Sequence, residues 1–277
     1  MRGTSFTLLI LMAISAMAQT QKIEILEPAW VECQYIKRTV TDTLDRDNDF
    51  RETVMALRIG ESISMFYSVP RMQFDSLYYA NRDLERRLWH EAAMNKKPSP
   101  GGLEKESVYK NYPEGKITMF NQFATMNWRC VEDWQVPEWT LCDSAKVVLE
   151  YTCQLATCDY RGRKWHAWFS PEIPVSEGPW KLCGLPGLIL EAYDDHNDYH
   201  YTAFSLRTEG IDPVGIYSYR GEKWAKIERL KYCQRWWESI HEDVGLKYAM
   251  ALGWDVDPNR KLPHRNYELQ EADYHNK

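Results

Sequence analysis

The sequence predicts an α+β fold: a single domain in which a strongly curved antiparallel β-sheet, half-barrel-like in its meander, is packed by two or more helices. Three observations carry this expectation. From Lys116 onward, short apolar runs follow one another with turn residues between them, as in a meander rather than in strands alternating with crossover helices. Two other stretches keep helical spacing. The chain of 277 residues has no internal repeat and no linker that would divide it, and α+β domains reach this length as one unit.

In chain order, residues 23–40 read as an opening strand. Residues 54–59 and 62–67 are two more, with Gly60-Glu61 as the tight turn between them. The period then changes. Phe74, Leu77, Leu84, Leu88 and Ala92 recur at helical spacing, which predicts an amphipathic surface helix over 74–94. Pro98-Ser99-Pro100-Gly101-Gly102 is a loop with the composition of a flap or insertion. Strands follow at 117–120, 128–131, 140–142, 147–156, 165–169, 188–193 and 200–206. Trp224, Ile227, Leu230, Cys233, Trp237 and Ile240 predict a second helix over 223–240 with an aromatic-rich inner face.

The first 18 residues have the form of a cleaved secretory signal: Arg2 in a short head, an apolar run over 6–14, and Ala16-Met17-Ala18 before Gln19. The apolar run is about half the roughly 20 residues a membrane span needs, so the chain is not expected to span a membrane. With no Cys at the junction, no lipid anchor is expected either. The chain is thus divided into a signal at 1–18 and one domain at 19–277, exported to the periplasm, the cell surface or the medium. The net charge of −6 and basic residues scattered singly or in pairs argue against a nucleic-acid partner, whose phosphates need a basic stripe.

Seven cysteines, all beyond the signal, predict disulfides in an oxidising compartment, with at least one thiol left over. Cys130 and Cys142 flank Val136-Pro137-Glu138, which reads as a hairpin, and are the expected local bridge. Cys153 and Cys158 are five apart in a strand-like run, so they would face opposite sides and should not pair.

The segment Gly184-Leu185-Pro186-Gly187-Leu188-Ile189-Leu190 is the most specific in the chain. Pro186 suits the second position of a type II turn and Gly187 the positive φ of its third, so a sharp corner is expected to lead into a buried strand. Ahead of it stand Tyr151-Thr152-Cys153-Gln154-Leu155-Ala156-Thr157, Arg161-Gly162-Arg163, Ala167-Trp168-Phe169, Pro171-Glu172-Ile173-Pro174-Val175 and Gly178-Pro179-Trp180. In these pieces and their order the chain resembles the GLPGLI (Porph_ging) family of exported bacterial envelope proteins. The resemblance implies export and a β-rich fold. It supplies no catalytic residue, because the family's biochemical role is not established.

Candidate chemistry is sparse. Within Asp194-Asp195-His196-Asn197-Asp198-Tyr199-His200, the residues His196, Asp198 and His200 are weak candidates for a metal site, since imidazoles and carboxylates at such spacing can converge on one ion. The same residues also make a polar turn between two strands. Cys183 beside Gly184 could be imagined as a nucleophile, but no His is tied to it by a recognisable spacing. No G-x-S-x-G elbow, phosphate-binding loop or zinc-protease helix appears, and no cofactor is expected. Trp165, Trp168 and Trp180 are candidate ligand-face aromatics; the first two, three apart in a strand, would point to opposite sides.

These readings favour a non-enzymatic envelope protein that binds an apolar small molecule, a peptide or another envelope protein in the hollow of the sheet. The alternative is an envelope enzyme, hydrolytic or metal-dependent, whose site is assembled from distant segments.

Overall fold

The computed structural model describes residues 23–95, 97, 99–124, 126–217, 223–241, 250, 252–253 and 266–276. The expected signal at 1–18 and its junction at Gln19 lie outside these residues.

The predicted opening strand is two strands, β1 (Ile23–Glu27) and β2 (Ala29–Val40), parted at Pro28, which has no N–H to give to a ladder. Next come β3 (Phe50–Gly60) and β4 (Ser64–Ser68), paired antiparallel. The predicted helix over 74–94 is also two elements, α1 (Val69–Ala80) and α2 (Arg82–Met94). Asn81 divides them. Its backbone leaves the helical region, its N–H closes α1 on the Leu77 carbonyl, and its side chain accepts from the Leu84 N–H to cap α2. The 98–102 loop is only partly within the described residues; Gly101 packs on Phe74.

The meander then runs through β5 (Ser107–Lys110), β6 (Lys116–Phe123), β7 (Met126–Asp133), β8 (Thr140–Val148), β9 (Tyr151–Tyr160), β10 (Arg163–Ser170), β11 (Leu188–Asp194) and β12 (Tyr199–Arg207). The run expected as one strand over 147–156 contains the turn between β8 and β9, where Leu149 takes φ +56°. Two short strands follow, β13 (Val214–Tyr217), which pairs with β1, and β14 (Ala225–Ile227), which lies parallel to β7. The second helix, α3 (Arg229–His241), therefore starts six residues later than the predicted 223. Trp224 and Ile227 fit the helical spacing, but pairing with β7 draws this stretch into a strand.

The large sheet has the order β14-β7-β6-β5-β4-β3-β2-β12-β11-β10-β9-β8. It is two meanders, β2 to β7 and β8 to β12, joined where β12 pairs with β2. The sheet is curved and open. Because β7 and β8 stand near opposite ends of the order, Val136-Pro137-Glu138 is a crossing between ends and not a hairpin. The expected Cys130–Cys142 bridge is absent, and all seven cysteines are free thiols.

Alternate residues face opposite sides of a strand, and both sides are packed. Phe66 on β4 joins an inner cluster with Tyr35, Trp165, Trp180, Tyr201 and Leu188 to Leu190. Its neighbours Met65 and Tyr67 join an outer cluster with Ala56, Tyr109, Phe120 and Val214. The hollow is filled by the loop between β10 and β11, by Tyr232 and Cys233 of α3, and by Leu269 and Tyr274 of the 266–276 segment.

The Gly184–Leu190 segment does deliver a buried strand: Leu188, Ile189 and Leu190 are all fully buried. The corner differs from the expected type II turn. The Gly187 N–H bonds the Leu185 carbonyl at 2.8 Å, a three-residue turn centred on Pro186, and it is Gly184 that takes the positive φ, at +94°. Gly187 is required for closeness instead, since a Cβ there would lie 2.2 Å from the Ser170 carbonyl oxygen.

Candidate functional site

Among the described residues the packed hollow keeps a small pocket, with about 10 Å³ open to a water-sized sphere, bordered by Glu106, Trp180, Tyr232, Trp236 and Gln270. The cleft expected there is not found in the hollow; an apolar cleft lies on the other side of the sheet. About 80 Å³ of it is open to a water-sized sphere, and its mouth is open to solvent. Its floor is Met65 and Tyr67 of β4, Tyr109 of β5 and Phe120 of β6; Met72 of α1, Ile216 and Tyr217 of β13, and Trp224 form its walls.

Each wall has a local cause. The Ser68 hydroxyl caps α1 at the Arg71 N–H, with Pro70 in the first turn, so the helix springs from the end of β4 and carries Arg71, Met72 and Asp75 over the floor. Pairing with β1 holds β13 on the outer face. Phe120 meets Tyr109 and Trp224 edge to face, at 5.7 and 5.0 Å between ring centres, an arrangement that fixes ring positions as well as burying them.

The polar groups of the cleft are few. Arg71 donates Nε to Asp75 at 2.8 Å and Nη2 to Gln122 at 3.0 Å. The Tyr217 hydroxyl accepts from Arg58, whose charge is met by Glu32. Lys105 is half-buried, and its ammonium has neither a hydrogen bond nor a salt bridge within 4 Å among the described residues. Burial, and then the neighbouring Arg71, push its pKa down, against a pull from Asp75. Glu106, at the same edge, is buried and accepts from the Tyr232 hydroxyl at 2.7 Å. Burial raises its carboxyl to about 7, partly offset by Lys37.

Other charged groups in the interior hold segments together. Lys181 is fully buried and donates to Glu132 and Glu271; Arg161 reaches Glu132, and Arg229 reaches Glu271 and Asp273. Three cations face three carboxylates in this cluster, which joins β7, the β9–β10 turn, the β10–β11 loop, α3 and the 266–276 segment. Lys110 is likewise fully buried, paired with Glu177 and donating to the Gly178 and Leu182 carbonyls. Such groups pin the loop that fills the hollow.

The residues singled out from sequence are dispersed. Trp165 is fully buried and tilted against Trp180 at 5.7 Å. Trp180 borders the small interior cavity. Trp168 lies on the opposite side of β10 from Trp165, under the Lys146 ammonium. Of the metal candidates, His196 is exposed in the turn, Asp198 is engaged by Arg46 at 2.7 Å, and His200 faces Glu191 at 3.1 Å. They do not converge, and no three His, Cys, Asp or Glu side chains form a metal-holding group among the described residues. Cys183 is a buried thiol with its pKa raised to about 11 by burial, a poor state for a nucleophile.

The cleft residues were not legible as a set. Lys105 precedes a strand, β5, that the periodicity does not reveal; Met72 lies in α1, ahead of the predicted helix start at 74, and Trp224, assigned to the second helix, precedes β14.

The fold is α+β, with an open, curved sheet. Residues 159–191 match the family described as "Protein of unknown function (Porph_ging)", which takes in Arg161-Gly162-Arg163 and the Gly184–Leu190 motif but not Tyr151 to Thr157. No curated protein sequence matches the chain. Seven chains of solved structures do. Two are structures of PNGF-II, in P21 and C2 space groups, at 13% and 14% identity with TM-scores of 0.46 and 0.45, each alignment covering 76% of this chain and 33% of the other. This chain thus spans about a third of the length of those structures.

Proposed function

We propose that this is an exported, non-enzymatic binding protein, and that the outer cleft holds an apolar small molecule. The observation that carries the reading is the row of Met65, Met72, Phe120 and Trp224 around an unfilled space. Sites for small molecules are concave, mostly apolar and bear few polar groups. Export is supported by the apolar run before Ala16-Met17-Ala18, and the binding role by the engagement of the interior charges in networks that join segments rather than in a reacting constellation.

The test is binding of the neutral dye N-phenyl-1-naphthylamine to the mature protein, read as dye fluorescence and as quenching of tryptophan emission. Saturable binding that is lost in Phe120→Lys but kept in Phe204→Lys, an exposed position elsewhere on the sheet, is expected. Equal binding by both variants would place the dye outside the cleft and overturn the reading.

A further inference from the structure

The charges around the cleft do not balance. Arg71 is satisfied by Asp75 and Gln122, and Arg58 behind Tyr217 is satisfied by Glu32. Glu106 spends its carboxyl on the Tyr232 hydroxyl. That leaves the Lys105 ammonium, half-buried and beside another cation, with no hydrogen-bonding partner of its own among the described residues. A half-buried cation in this position gains from any anion that brings it a charge-assisted hydrogen bond. A second cation would be repelled by Lys105 and Arg71 together.

The apolar part of the cleft sets the rest of the ligand. Two flexible methionines, Met65 and Met72, and the faces or edges of Phe120 and Trp224 line a narrow space. Thioether side chains adapt to an irregular chain of methylenes, and each buried methylene contributes about 0.8 kcal/mol. We infer that the cleft selects a slender alkyl chain ending in a carboxylate, with the carboxylate on Lys105 and the chain along Met65, Met72, Phe120 and Trp224. This rests on the reading of the cleft as a binding site and adds the class of ligand.

The experiment is displacement of N-phenyl-1-naphthylamine by decanoate, decan-1-ol and decylammonium at pH 7, below their micellar concentrations. Decanoate is expected to displace the dye at about a tenfold lower concentration than decan-1-ol, and decylammonium at a higher one than either. Lys105→Gln is expected to bring decanoate to within about twofold of decan-1-ol while leaving the alcohol unchanged, and Lys105→Arg to restore the preference. If the alcohol and the carboxylate compete equally in the unmodified protein, the charge selection is wrong and the apolar cleft stands. If the dye and all three chains fail to bind, the cleft reading falls and the inference falls with it. If Lys105→Gln leaves the carboxylate preference intact, another group reads the head and the inference is overturned.

Discussion

Lys181 places its ammonium between the carboxylates of Glu132 and Glu271 with no exposure of its own, so one lysine in the family segment ties a strand near one end of the sheet to the far carboxyl-terminal segment. Desolvation alone would lower its pKa; the two carboxylates more than reverse this and raise it well above the usual lysine value. Removing the cation leaves two buried carboxylates facing only Arg161 and Arg229. Lys181→Met is expected to cost about 3–5 kcal/mol, read as a lower midpoint of urea unfolding. An unchanged midpoint would show that the arginines suffice.

Glu106 gives the fold a dependence on pH that can be isolated by substitution. Its carboxyl is raised by burial to about 7 from the ordinary value of 4.5, so the native state keeps a proton that the unfolded chain releases. Stability from this group is therefore full below about pH 4.5, declines as pH rises towards 7 and stays lost above it. In Glu106→Gln this decline is expected to vanish, so that the stability difference between the two proteins changes across that window and is flat on either side. Parallel curves from pH 4 to 8 would refute the assignment.

The corner at Pro186 separates two roles of glycine. Gly187→Ala drives a methyl into the Ser170 carbonyl at 2.2 Å, a backbone group that cannot swing aside. Gly184→Ala meets the Val136 side chain and also a positive φ. Both are expected to destabilise, Gly187→Ala by about 2–3 kcal/mol and Gly184→Ala by about 1–2 kcal/mol. Pro186→Ala, at an exposed site, should cost under about 1 kcal/mol. Thermal unfolding of the three variants checks the order.

Thiol chemistry follows from burial. Six of the seven cysteines are buried, and Cys142 alone is partly exposed. Burial raises Cys33, Cys130 and Cys158 to about 12, which suppresses their thiolates. Titration of the folded protein with an aromatic disulfide reagent is expected to modify one thiol rapidly, and in denaturant all seven. Fewer than seven in denaturant would reveal bridges among them.

Much of the sheet was legible because alternation and turn residues are local signals: the Gly60-Glu61 turn and the strands around Trp128, Trp165 and Leu188 stand where periodicity put them. The misses share a cause in tertiary contacts. Asn81 ends one helix and caps the next with a single side chain, inside an unbroken apolar spacing. Ala225 to Ile227 form a strand only because β7 offers an edge. The Cys130–Cys142 pairing failed because adjacency in sequence says nothing about which strands meet when two meanders join through β2 and β12. The cleft was illegible for the same reason. Its residues come from four stretches of chain, and the aromatic residues that stood out in the sequence, Trp165 and Trp180, are spent on filling the hollow.

The 266–276 segment sends Leu269, Glu271 and Tyr274 into the centre of the protein. A ribosome makes these residues after the strands they pack against, so until they emerge the hollow is unfilled and Lys181 lacks one counter-charge. The centre of the protein is on that account closed from a stretch of chain that contributes no strand to the large sheet.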